Sequence, residues 1–138
     1  MAKKTEQNSV ITLTPKELIK YSLGERSVFY AQYNVLDLER GDVSLRTSVT
    51  GIVTAGNAQY KLNGDVHEIP DGATVTISEN KDLLGKRIKI VRSVSGEEGT
   101  SCMFTITFTG GYKDAEYHVS SKIDNVGVTA FVAFIDFI

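Results

Sequence analysis

The clearest hydrophobic pattern in the chain is a strict alternation over Ser101–Thr109. Cys102, Phe104, Ile106 and Phe108 fall on one side, and Met103, Thr105, Thr107 and Thr109 on the other. Period two with one apolar side predicts a strand with one face on a core. Similar but looser patterns run over 27–38, 43–54, 58–62, 65–69, 73–78, 87–94 and 112–119. Turn chemistry separates them. Asn63-Gly64 suits a two-residue hairpin, whose central positions want positive φ. Pro70-Asp71-Gly72 and Gly110-Gly111 are further turns, and Gly51 suits a bend or bulge. Short strands at this spacing predict an antiparallel β-sandwich or jelly-roll-like domain.

One segment breaks the rhythm. In Thr14-Pro15-Lys16-Glu17, Thr14 suits a helix cap, Pro15 the first helical position, and Glu17 closes a capping box. Gly24 is a natural stop. A short N-terminal α-helix over 14–24 is therefore expected, needing packing to hold it. The reading is a polar N-terminal arm over 1–13 and a single β domain over 14–138.

The last segment is apolar on both alternating sides. Val126, Val128, Ala130, Val132, Phe134 and Ile138 lie on one, and Phe131, Ala133, Ile135 and Phe137 on the other. A sandwich strand with one face in water would be polar on that face. Two apolar faces predict two covers. Either the strand is central between layers of its own domain, or it lies partly against another subunit. The second reading makes Val126, Val128, Phe131, Val132, Phe134, Ile135, Phe137 and Ile138 interface residues, because an exposed apolar edge would aggregate.

Composition supports the β reading. Val, Ile and Thr number 14, 11 and 13, against 9 Leu and 8 Ala, and branched side chains favour strands. A net charge of −2 supplies no global field for nucleic acid or an anionic membrane. The first residues, Met1-Ala2-Lys3-Lys4-Thr5, lack the apolar run of a signal peptide, and Cys102 has no second cysteine to pair with. Cytoplasmic synthesis is expected.

No constellation reaches a catalytic or metal signature. Asp65, His67, Glu68 and Asp71 form the densest ligand-capable group, but alternation splits them between two faces. Asp114, Glu116 and His118 share one strand face and read as solvent-facing. Asp37, Glu39 and Asp42 are carboxylates near a turn. Lys81, Lys86, Arg87, Lys89 and Arg92 form a basic stretch offset by Glu79 and Asp82, without stacking aromatics for nucleic acid. Cys102 reads as a core thiol. Tyr60, Tyr112 and Tyr117 could form a carbohydrate platform, although the chain has no Trp. No catalytic residue, cofactor or metal is assigned.

A near-neutral β chain with a polar N-terminal arm and an apolar last strand resembles the small virion proteins of tailed bacteriophages: head-decoration, head-fibre and neck or tail accessory components. The resemblance lies in overall character across the chain and transfers no site residue. It implies a non-enzymatic, oligomeric virion protein that binds copies of itself or other virion proteins. A carbohydrate- or surface-binding module is the alternative, and a small hydrolase acting through His67 or His118 is a third class.

Overall fold

The structure is a computed structural model and describes residues 18–36 and 41–138. Its strands are β1 (Leu18–Glu25), β2 (Val28–Tyr33), β3 (Asp42–Thr50), β4 (Thr54–Ala55), β5 (Ala58–Leu62), β6 (Asp65–Ile69), β7 (Thr74–Glu79), β8 (Arg87–Ser95), β9 (Ser101–Thr109), β10 (Asp114–Lys122) and β11 (Val128–Phe137). One helical turn, α1 (Asn80–Leu83), follows β7. Among the described residues no helix is long and apolar enough to cross a membrane.

The strands form a β-sandwich. One sheet has the order β1-β10-β9-β3-β7. The other runs β2-β11-β8-β5-β6, with the short β4 also paired to β8. Most pairs are antiparallel, as expected. The exceptions are the edges: β1 runs parallel to β10, and β2 parallel to β11. Both sheets are therefore mixed. The consecutive strands β1 and β2 close one side of the sandwich, each in a different sheet.

The inward positions are those that alternation picks out. Cys102, Phe104, Ile106 and Phe108 of β9 meet Phe131, Ala133, Ile135 and Phe137 of β11 in one core. The rings interlock: Phe104 stacks on Phe131 at 5.2 Å between centroids, and Phe108 meets Phe137 edge-on at 5.7 Å. Asn63 (φ 55°) and Gly64 (φ 86°) make the expected hairpin turn between β5 and β6.

The helix expected over 14–24 is not formed at its described residues: Leu18–Glu25 is strand β1. Ile19, Tyr21 and Leu23 also fit period two, and the open edge of β10 offers them a hydrogen-bond ladder. Tertiary pairing outweighs local capping signals in a segment too short to be helical alone. The capping residues 14–17 lie outside the described residues, as do the arm 1–13 and the carboxylates Asp37 and Glu39.

Candidate functional site

β11 is flanked by β2 and β8, and alternation divides its apolar residues between two environments. Phe131, Ile135 and Phe137 are sealed in the core at 0%, 0% and 1% exposure. These three of the eight expected interface residues thus serve the domain itself. The physical reason is that a two-layer sandwich can cover only one face of each strand. The other face turns outward. There Val132 lies between Val28 of β2 and Val91 of β8, and Phe134 lies between Tyr30 and Lys89. Val128 is exposed and starts the strand, while Val126 is exposed in the preceding turn. Asp124 builds that turn by accepting from the N–H groups of Val126 and Val128 with Oδ1. Ile138 is half-exposed; its N–H donates to the Tyr33 carbonyl, and its carbonyl accepts from Val35.

The result is an outward apolar strip across two strands: Val28 (47% exposed), Tyr30 (65%), Val128 (45%), Ala130, Val132 and Phe134. A shallow hollow of about 580 Å³ lies against its Val28–Val128–Ala130–Val132 end. The other end is polar and ordered. Arg87 holds Asp136 through two hydrogen bonds, of 2.7 and 3.0 Å. Its guanidinium also lies 5.6 Å from both the Tyr30 and Phe134 rings, which stack at 5.0 Å. The Asp136 hydrogen bond raises the Arg87 pKa, and the same bond lowers that of Asp136. Lys89 sits 5.9 Å from the Phe134 ring. The strip can bury apolar area against a flat partner, with a cationic margin to set orientation.

The remaining candidates are dispersed. His67 stacks on Tyr60 at 4.9 Å, Glu68 accepts from Asn57 and Asp71 pairs with Arg92. Among the described residues no group of three His, Cys, Asp or Glu side chains could hold a metal. Cys102 is buried, and burial pushes its thiol pKa up.

His118 is more engaged than its sequence pattern suggests. Its Nδ1 lies 3.1 Å from Thr105 Oγ1, and its Nε2 lies 3.0 Å from Glu116 Oε1. This is the hydrogen-bond order of a nucleophile–base–acid triad. An acyl-transfer site also needs free N–H donors for the developing oxyanion. At Thr105, Glu116 and His118, β9 and β10 are paired on both sides, so the N–H groups there are engaged in ladders, with a register shift against β1 between His118 and Ser120. The array reads as a polar lattice on the outer face of its sheet.

Tyr60, Tyr112 and Tyr117 do not form a platform. Tyr60 and Tyr117 are buried, and only Tyr112 is exposed. Tyr112 instead borders a cleft that also involves Tyr21, a residue whose part in any site was not legible without the β1–β10 register.

Comparison of the chain with family models, with curated proteins and with solved structures gives no match.

Proposed function

We propose that this chain is a non-enzymatic structural protein that assembles through the outer face of β2 and β11. The context proposed is a bacteriophage virion, as a decoration, head-fibre or neck and tail accessory component. The observation that supports assembly is the outward strip from Val28 and Tyr30 to Val128, Val132 and Phe134. Continuous exposed apolar surface marks an interaction site more often than scattered hydrophobes do. The occupant proposed is a second copy of the chain. The strip places apolar rows beside the self-neutralising Arg87–Asp136 pair, which opposes no net charge to a second copy, and Lys89 at the margin sets the offset at which two such faces meet.

Light scattering on the purified chain across a dilution series tests this. The expected result is an oligomer that dissociates on dilution. Val132→Asp and Val28→Asp should shift it to monomer with the near-ultraviolet circular dichroism unchanged, because both side chains point away from the core. A monomer at every concentration would overturn the reading. Phe137 is not a useful probe of assembly, because its side chain fills the core.

A further inference from the structure

We propose that the cleft at the seam between β1 and β2 binds one pyranose ring of a neutral saccharide. The cleft adjoins the docking strip without including it: Gln32 continues the outward face of β2 two residues beyond Tyr30.

The two edge strands join at Arg26–Ser27 and belong to different sheets. At the far end of the seam they flank a cleft of about 150 Å³. Ile19 and Tyr21 form one wall, Gln32 to Asn34 the other, and Tyr112 to Ala115 with Tyr117 complete it. Drug-sized ligands need pockets of roughly 300–1,000 Å³, so this one suits a single small ring.

The lining chemistry selects the ring. A pyranose has an apolar C–H face and a rim of hydroxyls. Tyr21 and Tyr112, at 41% and 56% exposure, supply aromatic surface of the kind that offers large contact area with few torsions to freeze. Gln32, Asn34 and Asp114 bring amide and carboxylate groups that can donate to and accept from hydroxyls. Lys113 and Asp114 contribute one charge of each sign, which favours a neutral ligand over a phosphate or a cation.

The cleft is already shaped. Tyr21 lies flat on Tyr117, with centroids 5.1 Å apart and an interplanar angle of 11°. Tyr117 is fixed in turn by donating to the Gln32 carbonyl at 2.6 Å. Tyr112 N–H donates to the Asn34 carbonyl at 3.0 Å, and Lys113 Nζ lies 5.8 Å from the Tyr112 ring. Tyr33 Oη accepts from Gly111 N–H at 2.9 Å. Restraints made before binding reduce the ordering cost on binding.

The test is an amide-resonance titration of the full chain with neutral hexopyranoses and N-acetylhexosamines, up to the solubility of each. At least one sugar should give saturable shifts that map to Tyr21, Gln32, Asn34 and residues 112–115. Tyr112→Ala and Tyr21→Ala should each weaken binding about tenfold, while Tyr112→Phe and Ile52→Ala, an exposed position at the other end of the sandwich, should leave it within about twofold. Tyr112 is exposed, so its variant also guards against a folding failure in Tyr21→Ala. No saturable shift with any sugar of the panel, shifts mapping elsewhere, or undiminished binding in both alanine variants would overturn the proposal. Light scattering on the Tyr21 and Tyr112 variants separates failure of this site from failure of assembly, because neither residue lies on the strip.

Discussion

Arg92 is 1% exposed inside the sandwich, and its guanidinium reaches the half-exposed carboxylate of Asp71 at 2.9 Å. The same Nη1 donates to Thr47 Oγ1 at 3.3 Å, while Nε has no partner among the described residues. The ion pair joins β8 to the loop between β6 and β7, where the chain crosses from one sheet to the other. Gly72 N–H in that loop donates to the Thr47 carbonyl, so charge and backbone clip the same crossing. Asp71→Ala would leave a buried cation without its counter-charge. It should cost about 3 kcal/mol, the lower end for breaking a buried pair, since Asp71 itself is half solvated. Arg92→Met removes the charge and the orphaned Nε together and should be much milder. Urea unfolding of the two variants checks this, and equal losses would contradict it.

A second buried polar residue is fully satisfied. Asn80, at 1% exposure, donates from Nδ2 to the carbonyls of Gly41 and Gly110, both at 2.9 Å. Its Oδ1 accepts from Leu36 N–H at 3.0 Å. One side chain thus ties the β2–β3 connection, at Leu36 and Gly41, and the β9–β10 connection, at Gly110, to α1. Asn80→Leu should destabilise by about 2–4 kcal/mol, because each buried group left unpaired costs ~1–3 kcal/mol and some will find water. Hydrogen exchange should speed first at the Leu36 amide. Unchanged protection there would refute the hub role.

These two residues show where the sequence was legible and where it was not. Alternation over 101–109 correctly placed Phe104, Ile106 and Phe108 in the core, and Asn63-Gly64 marked its hairpin. The same period applied to Ile88, Ile90 and Val94 puts Arg92 on their inward face, so a signal for the buried cation was present. The surrounding basic stretch masks it, because Lys81, Lys86, Arg87 and Lys89 are exposed and Arg92 alone of the five turns inward. Asn80 carries no such signal, since its three partners are distant in sequence and meet only through the sheet topology. The local rules also misread β1, because capping residues report a propensity that pairing with β10 overrides. The outward strip was half legible: alternation showed that β11 is apolar on both sides, but only the layer arrangement shows which side is open. The seam cleft depends on a parallel pairing that brings Tyr21 to Tyr117, which no local pattern encodes.

Gly111 provides a steric test of that seam. A Cβ there would lie 2.6 Å from the Asn34 carbonyl oxygen and 2.6 Å from Tyr33 ring and hydroxyl atoms. Neither neighbour can swing away, one being backbone and the other a buried ring stacked on Phe108 at 4.9 Å. Gly111→Ala should destabilise by about 1–3 kcal/mol, the usual range for overpacking. Gly56, with nothing near its Cβ position, is the matched control. Gly56→Ala should be neutral or slightly stabilising, because it restricts the unfolded chain. Denaturant midpoints for the pair decide the point, and equal effects would show that the Tyr33 packing is looser than described.

The same tyrosines make stability depend on alkaline pH. Burial pushes the Tyr33 phenol from an ordinary 10.0 up to about 12, against a smaller lowering by its hydrogen bond from Gly111. Burial also raises the Tyr117 phenol, with Tyr21 and Tyr33 adding to the shift. Below pH 10 both folded and unfolded chains hold these protons, and the stability is fully present. Between about pH 10 and 12 the unfolded chain releases the Tyr33 proton while the folded chain keeps it, so the unfolded state binds fewer protons and stability falls as pH rises. Tyrosinate absorbance should therefore include a late wave from Tyr33 and Tyr117 that coincides with loss of near-ultraviolet circular dichroism. Tyr117→Phe should shrink the late wave and flatten the alkaline loss of stability. Below pH 10 it should cost about 1 kcal/mol for the missing bond to the Gln32 carbonyl. A single early wave with the fold intact would mean that the Tyr33 and Tyr117 phenols are open to water.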